Sequence, residues 1–194
     1  MGEPSDKSNG YEEAAQQFIA ARRADIGIAT VCDWSRSLRR GGYVLDLGCA
    51  HGVPITQLLI DSGFSVYGVD ASATLIAEFR RSFPSASAQC APVEDSDFFG
   101  RQFDGIIAVG LLFLLSSETQ EIVLQKIALT LISNGKFLFT APAEAVRWND
   151  SLTGRESISL GSTRYGELLR CWEIELRGET NDEGGNHYYF CRKL

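Results

Sequence analysis

Two acidic residues, Asp46 and Asp70, stand on either side of a turn that is rich in small residues. The small residues of this turn are Gly48, Ala50 and Gly52. Small residues allow a backbone to approach a bound nucleotide, and the helix predicted to begin after them at Pro54 offers free N–H groups. An acid about 20 residues after such a turn, at the end of the next strand, can accept hydrogen bonds from a ribose diol. The pattern predicts a nucleotide-type ligand.

The position of Asp46 favours one charge on that ligand. A carboxylate two residues before the first glycine repels a pyrophosphate and attracts a ligand that carries an ammonium and a sulfonium. The incomplete Gly-x-Gly-x-x-Gly pattern also argues against a dinucleotide. A nicotinamide-dependent oxidoreductase is therefore the weaker alternative, and a non-catalytic binding or scaffold protein remains a third hypothesis.

Composition limits the class of protein. The chain has 194 residues, a formal net charge of -7 and 44% hydrophobic residues, which is typical of one globular domain. The negative charge argues against a nucleic-acid partner. Two histidines and five scattered cysteines lack metal-ligand spacing, so we expect no metal and a reduced compartment. No apolar run is long enough for a membrane span, and we expect a cytoplasmic monomer or homodimer without membrane contact.

Strands and helices alternate after residue 40, which predicts an α/β fold with a doubly wound, mostly parallel sheet and helices on both faces. The last two strands are joined by only about ten residues, which is too short for a parallel crossover, so they should form an antiparallel hairpin whose turn lies at the ligand edge. The seven predicted strands cover residues 43–47, 65–69, 86–90, 105–109, 136–140, 172–177 and 188–192.

Five segments in this order resemble the motifs of class I S-adenosylmethionine-dependent methyltransferases of the small-molecule type. The segments are Val44–Gly52, Tyr67–Ser72, Ala91–Ser96, Phe103–Gly110 and Leu131–Phe139. The resemblance implies a Rossmann-like fold and methyl transfer by in-line SN2 displacement, with S-adenosylmethionine as donor and S-adenosylhomocysteine as product. Two residues depart from the family pattern: Ala50 replaces the middle glycine of the first motif, and Pro92 replaces the acid of the adenine segment.

The same resemblance implies roles for individual residues. Asp46 and the backbone of the 48–52 turn would hold the methionine part, and Asp70 would hold the ribose. Adenine would contact Ala71 and the backbone N–H groups of Val93 and Glu94, while the carbonyls of Val109 and Gly110 would face the ammonium. Residues 1–40 would form a helical lid over a single domain of residues 41–194, in which Tyr11 closes the pocket and Arg22 pairs with the cofactor carboxylate.

The substrate side is predicted from three segments that follow strands at the ligand edge. Residues 110–115 lack the Asn-Pro-Pro-aromatic motif that binds planar amino groups, and they suggest an apolar wall that includes Phe113. Residues 141–165 are interpreted as a polar substrate loop in which Trp148 and Asn149 contact a small methyl acceptor. His187 at the start of the last strand is the preferred general base, Asp150 is the second candidate, and the neighbouring Tyr188 is a further predicted substrate contact. The acceptor atom (O, N, S or C) is left open.

Overall fold

The computed structural model describes residues 6–22 and 26–194, which contain nine strands, six α-helices and two short 3-10 helices. The strands are β1 (Tyr43–Leu47), β2 (Ser65–Asp70), β3 (Ser87–Cys90), β4 (Phe103–Ala108), β5 (Leu131–Thr140), β6 (Ala145–Asn149), β7 (Glu156–Leu160), β8 (Ile174–Asn181) and β9 (His187–Lys193). The helices are α1 (Ala15–Ala21), α2 (Ile28–Arg36), α3 (Ile55–Asp61), α4 (Ala73–Ser82), α5 (Ser117–Thr130) and α6 (Gly161–Cys171).

The main sheet has seven strands in the order β3-β2-β1-β4-β5-β9-β8. The first five pair in parallel, and β9 runs antiparallel to both β5 and β8. Strand β8 is therefore parallel to β5, which puts the β8–β9 turn at the edge where the parallel strands end. The predicted seven-stranded, doubly wound fold with its antiparallel terminal hairpin is confirmed.

Alternation along β4 shows how the sheet separates two cores. Ile106 belongs to a core that also contains Leu124 and Ile127 of α5, whereas Ile107 packs with Val31 and Trp34 of α2 on the opposite face. Every residue of β4 is buried, as expected for a central parallel strand that is covered on both faces. The central parallel strands could be predicted from the sequence because strands covered on both faces consist mostly of apolar residues.

The N-terminal region has two different positions in the fold. Helix α2 contributes Val31 and Trp34 to the core on one face of the sheet, so it is part of the domain itself. Residues 6–22 instead lie along the cavity described below. The predicted lid of residues 1–40 is thus restricted, as a proposal, to the segment before α2. Residues 1–5 and 23–25 of that prediction lie outside the described residues.

The interpretation of residues 141–165 as one polar loop was wrong. Strands β6 and β7 form a separate antiparallel hairpin, and α6 begins at Gly161. Ser157 and Ser159 are buried in β7, and the hydroxyl of Ser159 donates a 2.6 Å hydrogen bond to the carbonyl of Pro142. The polar residue types of this segment, these two serines among them, gave the hairpin the composition of a loop. Tyr165 is a core residue of α6 that packs edge-on against Phe139.

No helix in the described residues is long and apolar enough to cross a membrane.

Candidate functional site

A cavity of about 710 Å³ opens at the carboxyl ends of the parallel strands. It is large enough for a drug-sized ligand. All twelve residues predicted to bind the cofactor line it: Tyr11, Arg22, Asp46, Gly48, Ala50, Gly52, Asp70, Ala71, Val93, Glu94, Val109 and Gly110. The predicted substrate and catalytic residues that also line it are Phe113, Trp148, Asp150, His187 and Tyr188. Their individual roles stay predictions.

Asn149 is the predicted substrate residue that the structure places elsewhere. It lies in β6 between Trp148 and Asp150, both of which line the cavity. Successive side chains of a strand point to opposite faces, so Asn149 points away and is exposed. The prediction of a substrate contact by Asn149 is therefore corrected: the alternation could not be read from a segment interpreted as a loop.

Asp46 is a buried carboxylate at the floor of the cavity. It is 2% exposed, and among the described residues its recorded side-chain hydrogen bond is the one that the Thr56 hydroxyl donates to Oδ2 over 2.6 Å. Burial raises the pKa of Asp46 to about 7, although the Thr56 hydrogen bond lowers it and the neighbouring Asp70 raises it further. A carboxylate that is costly to ionise in the free protein is suited to a cationic ligand.

Asp70 joins the end of β2 to the turn after β1. One oxygen accepts the backbone N–H of Ala50 over 2.9 Å, and the other accepts that of Ser72 over 2.8 Å. Burial raises the pKa of Asp70, and these two hydrogen bonds oppose the rise. Each carboxylate oxygen has a second acceptor site, so Asp70 can shape the turn and still receive ligand hydroxyls.

The turn itself follows a path that favours glycine. Gly52 has a φ of +86°, and a Cβ there would lie 2.4 Å from the Phe83 ring. Ala50 also lies in the left-handed region, with a φ of +50°. Ala50 is the position where the first motif departs from the family pattern, and it keeps the backbone path of a glycine at some cost in strain.

The segment of residues 6–14, called the strap below, crosses the cavity and is held at both sides. On one side the Glu12 carboxylate accepts hydrogen bonds from the Ser72 hydroxyl, the Thr74 hydroxyl at 2.8 Å and the Thr74 N–H at 3.1 Å. These groups belong to the first turn of α4, where a carboxylate is favourable. The Ser72 hydrogen bond is the main reason that the pKa of Glu12 is lowered.

On the other side, the strap is bound to the β6–β7 hairpin. The Tyr11 hydroxyl donates to Asp150 Oδ2 over 3.2 Å, and Arg155 lies 3.0 Å from Asp6. Burial, followed by the charge of Asp150, raises the pKa of Tyr11, which keeps the phenol protonated as a donor. The other oxygen of Asp150 accepts the N–H groups of Leu152 and Thr153 within the hairpin turn.

The acceptor side combines an apolar wall with a polar end. Phe113 and Trp148 form a tilted aromatic pair with ring centroids 5.4 Å apart. His187 Nε2 lies 2.7 Å from Glu179 Oε2, and its Nδ1 lies 2.7 Å from the side-chain oxygen Oδ1 of Asn181. Burial alone would raise the pKa of Glu179, but hydrogen bonds from Ser162 and His187 hold it below its usual value.

Sequence reasoning missed Glu12 and Glu179, both of which contact predicted site elements. Glu12 lies in an N-terminal segment of helical pattern that contains no recognisable binding motif. Glu179 was assigned to the link between the last two strands, because the predicted strand ended at residue 177. The alternation of β8 could have found Glu179 only if the strand had been extended to Asn181.

No group of three or more histidine, cysteine, aspartate or glutamate side chains within residues 6–22 and 26–194 is arranged to hold a metal ion.

Comparison with known proteins identifies the domain. Residues 44–135 match a family model described as "Methyltransferase domain". The matched segment covers 92 of the 194 residues and resembles a methyltransferase domain. The predicted enzyme class is therefore confirmed. The match spans β1 to the start of β5 and thus includes Asp46, Asp70 and the turn between them. A search of curated proteins finds no match to the sequence.

Solved structures of methyltransferases share the fold of this chain. One is the CcbJ methyltransferase from Streptomyces caelestis, with a TM-score of 0.75, 13% identity and complete coverage of both chains. Another is the 1,6-didemethyltoxoflavin-N1-methyltransferase from Burkholderia thailandensis, with a TM-score of 0.69, 18% identity and coverage of 100% of this chain and 93% of that chain. A TehB-like methyltransferase from Corynebacterium glutamicum has a TM-score of 0.70, 20% identity and coverage of 96% and 97%.

The contacts of Glu12 generate a prediction for the strap. Glu12→Ala removes the hydrogen bonds that fasten the strap to α4, so it should weaken ligand binding in the cavity by about tenfold, given roughly 1 kcal/mol or more for hydrogen bonds to a charged group. Glu13→Ala is the matched control, because Glu13 is the exposed neighbour. Calorimetric titration of both variants checks this, and equal affinities would contradict a strap that covers the ligand.

The raised pKa of Asp46 generates a prediction for stability. A folded-state pKa of about 7, above the ordinary aspartate value, means that the contribution of Asp46 is most favourable at acidic pH and is lost as the pH rises towards 7. Asp46→Asn should therefore stabilise the free protein by on the order of 1–3 kcal/mol at pH 8, and less at pH 5. Denaturant unfolding at the two pH values measures this, and a destabilised variant at pH 8 would contradict the assignment.

Proposed function

We propose that this domain transfers the methyl group of S-adenosylmethionine to a small, partly apolar molecule by in-line displacement. The observation that carries the proposal is the Asp46 carboxylate, buried at the floor of the cavity and beside the turn of residues 48–52. S-adenosylmethionine carries the positive charge that such a group favours. The solved methyltransferases of similar fold include structures with bound S-adenosylmethionine or S-adenosylhomocysteine, which supports the same cofactor.

The residues around the cavity fit this cofactor. Asp70 lies at the end of β2 with acceptor capacity for a ribose diol. Val93 and Glu94 line the cavity, and among the described residues neither N–H has a hydrogen-bond acceptor. No heavy atom lies within 4 Å of the place where a Cβ of Gly110 would stand, so this backbone borders open space. The site thus offers hydrogen-bond acceptors for cationic and hydroxyl groups of a ligand, and N–H donors for its nucleobase.

When bound, S-adenosylmethionine supplies an activated methyl group on a sulfonium. The protein then has to align an acceptor with that methyl and to exclude water. The strap would cover the cofactor through Glu12 and Tyr11, and Arg22 would pair with its carboxylate. Holding the two reactants together can supply several kcal/mol of the barrier reduction, about 7–11 kcal/mol at best.

The acceptor would lie against Phe113 and Trp148, close to the polar end of the cavity. A small molecule with an apolar face and an ionisable group fits this surface. The Burkholderia thailandensis structure contains 1,6-didemethyltoxoflavin, which supports a small-molecule acceptor here. The acceptor's exact identity is a matter for product analysis after incubation of a metabolite pool with labelled methyl donor.

His187 is the general base that the geometry supports best. If Nε2–H is donated to Glu179, the lone pair resides on Nδ1, which lies 2.7 Å from Asn181 Oδ1. The methyl acceptor would then displace the Asn181 oxygen from Nδ1, and Asn181 also lines the cavity. In the transfer, the methyl acceptor would lose its proton to His187 Nδ1. At the same time its new bond to the methyl carbon would form and the bond between that carbon and the sulfur would break. Asp150 is the weaker candidate because Tyr11, Leu152 and Thr153 already donate to its two oxygens.

Ligand stabilisation tests the cofactor. S-adenosylhomocysteine at about one hundred times its dissociation constant should stabilise the protein by roughly 2.7 kcal/mol, measured as a rise in unfolding temperature. NAD at the same concentration should give no comparable rise, because its pyrophosphate meets Asp46. Stabilisation by NAD and not by S-adenosylhomocysteine would favour the oxidoreductase hypothesis instead.

His187→Gln tests the base. The variant should lower turnover by about 10²–10⁴-fold at pH 7, since a positioned base contributes about that factor. Its affinity for S-adenosylhomocysteine should stay within twofold, because His187 lies on the acceptor side. Turnover that is unchanged across pH 6–9 would exclude His187 as the base.

A further inference from the structure

The ammonium group of Lys126 binds the carbonyl side of the segment of residues 92–96. Lys126 extends from α5, and its Nζ donates to the carbonyl oxygens of Val93 at 2.9 Å, Glu94 at 2.7 Å and Ser96 at 2.6 Å. An ammonium has three N–H donors, so all three are used by this one segment. Each bond is charge-assisted and therefore stronger than a bond between neutral groups.

Two further contacts fix the position of this ammonium. Its Nζ lies 4.5 Å from the centroid of the buried Phe98 ring, within the range of a cation–π interaction. Burial lowers the pKa of Lys126, and the charges of Asp95 and Glu94 oppose this effect. The three carbonyl acceptors around Nζ match the three N–H donors of an ammonium.

While Lys126 binds the carbonyl groups of residues 92–96, some N–H groups of this segment stay available for a ligand. The carbonyl of Pro92 accepts the N–H groups of Asp95 and Ser96, which closes the turn. The N–H groups of Val93 and Glu94 find no acceptor among the described residues, although both residues line the cavity. The side chain of Pro92 has no carboxylate, so it cannot accept a hydrogen bond from a nucleobase.

The strap also contacts this segment, through the side chain of Glu94. Lys7 of the strap lies 2.9 Å from the Glu94 carboxylate, and the Glu94 side chain is only 16% exposed. The segment is therefore fixed between a lysine of the strap and a lysine of α5. Lys126 makes the backbone contacts, and Lys7 contacts the side chain of one residue.

We propose that Lys126 is a positioning residue for nucleobase recognition: it fixes residues 92–96 so that the N–H groups of Val93 and Glu94 donate to the acceptor nitrogens of adenine. This inference rests on the proposed function. It assigns selectivity for the base to the backbone of this segment and to the helix α5 lysine that holds it, rather than to an acidic side chain.

The test compares two ligands in three proteins by calorimetric titration. The ligands are S-adenosylhomocysteine and its hypoxanthine analogue, whose ring N1 carries a hydrogen and cannot accept one. Lys126→Met keeps the aliphatic stem and removes the donors. It should weaken S-adenosylhomocysteine binding by about tenfold and reduce the preference over the analogue by a similar factor. Lys136→Met is the matched control, since Lys136 donates to the Ser37 carbonyl far from the cavity over 2.7 Å.

The outcomes separate this inference from the function beneath it. Failure of the wild-type protein to bind S-adenosylhomocysteine would refute the proposed function. Normal wild-type binding with an unchanged ligand preference in Lys126→Met would overturn the role of Lys126, even if both ligands bound more weakly. If Lys126→Met does not fold, Lys126→Arg is used: its planar guanidinium cannot direct N–H groups at three converging carbonyls, so the preference should fall in the same way.

Discussion

The burial of one carboxylate determines how this site is built. The side chain of Asp46, near the end of β1, is buried away from water. Among the described residues, its one recorded side-chain hydrogen bond comes from the Thr56 hydroxyl. An ionised group in such a place is unfavourable until a positive charge reaches it. The free protein therefore carries a cost that a cationic ligand would remove, and under the proposed function this cost would favour a sulfonium or ammonium over a phosphate. This is a small example of stability given up for function.

The remaining elements place other groups around that charge. The parallel strands bring Asp46 and Asp70 to one edge, and the backbone of the turn between them bends where a side chain at Gly52 would collide with Phe83. The strap connects α4 to the β6–β7 hairpin, two elements that contribute to opposite sides of the cavity. Cofactor and acceptor surfaces are thus joined by a segment of the N-terminus.

The sequence contained most of the fold and the set of residues that lines the cavity around Asp46 and Asp70, because apolar strands and glycine-rich turns leave strong local patterns. The acceptor side was harder. Ser157 and Ser159 are polar yet buried, and the hydroxyl of Ser159 finds its acceptor at the distant Pro142, so the composition concealed the β6–β7 hairpin and misplaced Asn149. Lys126 was equally hidden: its three acceptors lie about thirty residues away and are backbone atoms, which any sequence supplies.

The most direct test is the proton balance of S-adenosylmethionine binding. With a pKa of about 7, Asp46 is close to half protonated at pH 7, and a cationic ligand should drive the proton off. Calorimetry at pH 7 in buffers of different ionisation enthalpy should show release of about half a proton, absent in Asp46→Asn, and affinity should rise roughly five- to tenfold from pH 6 to 7.5. Binding without proton release, and with the same affinity at both pH values, would contradict the central role of Asp46.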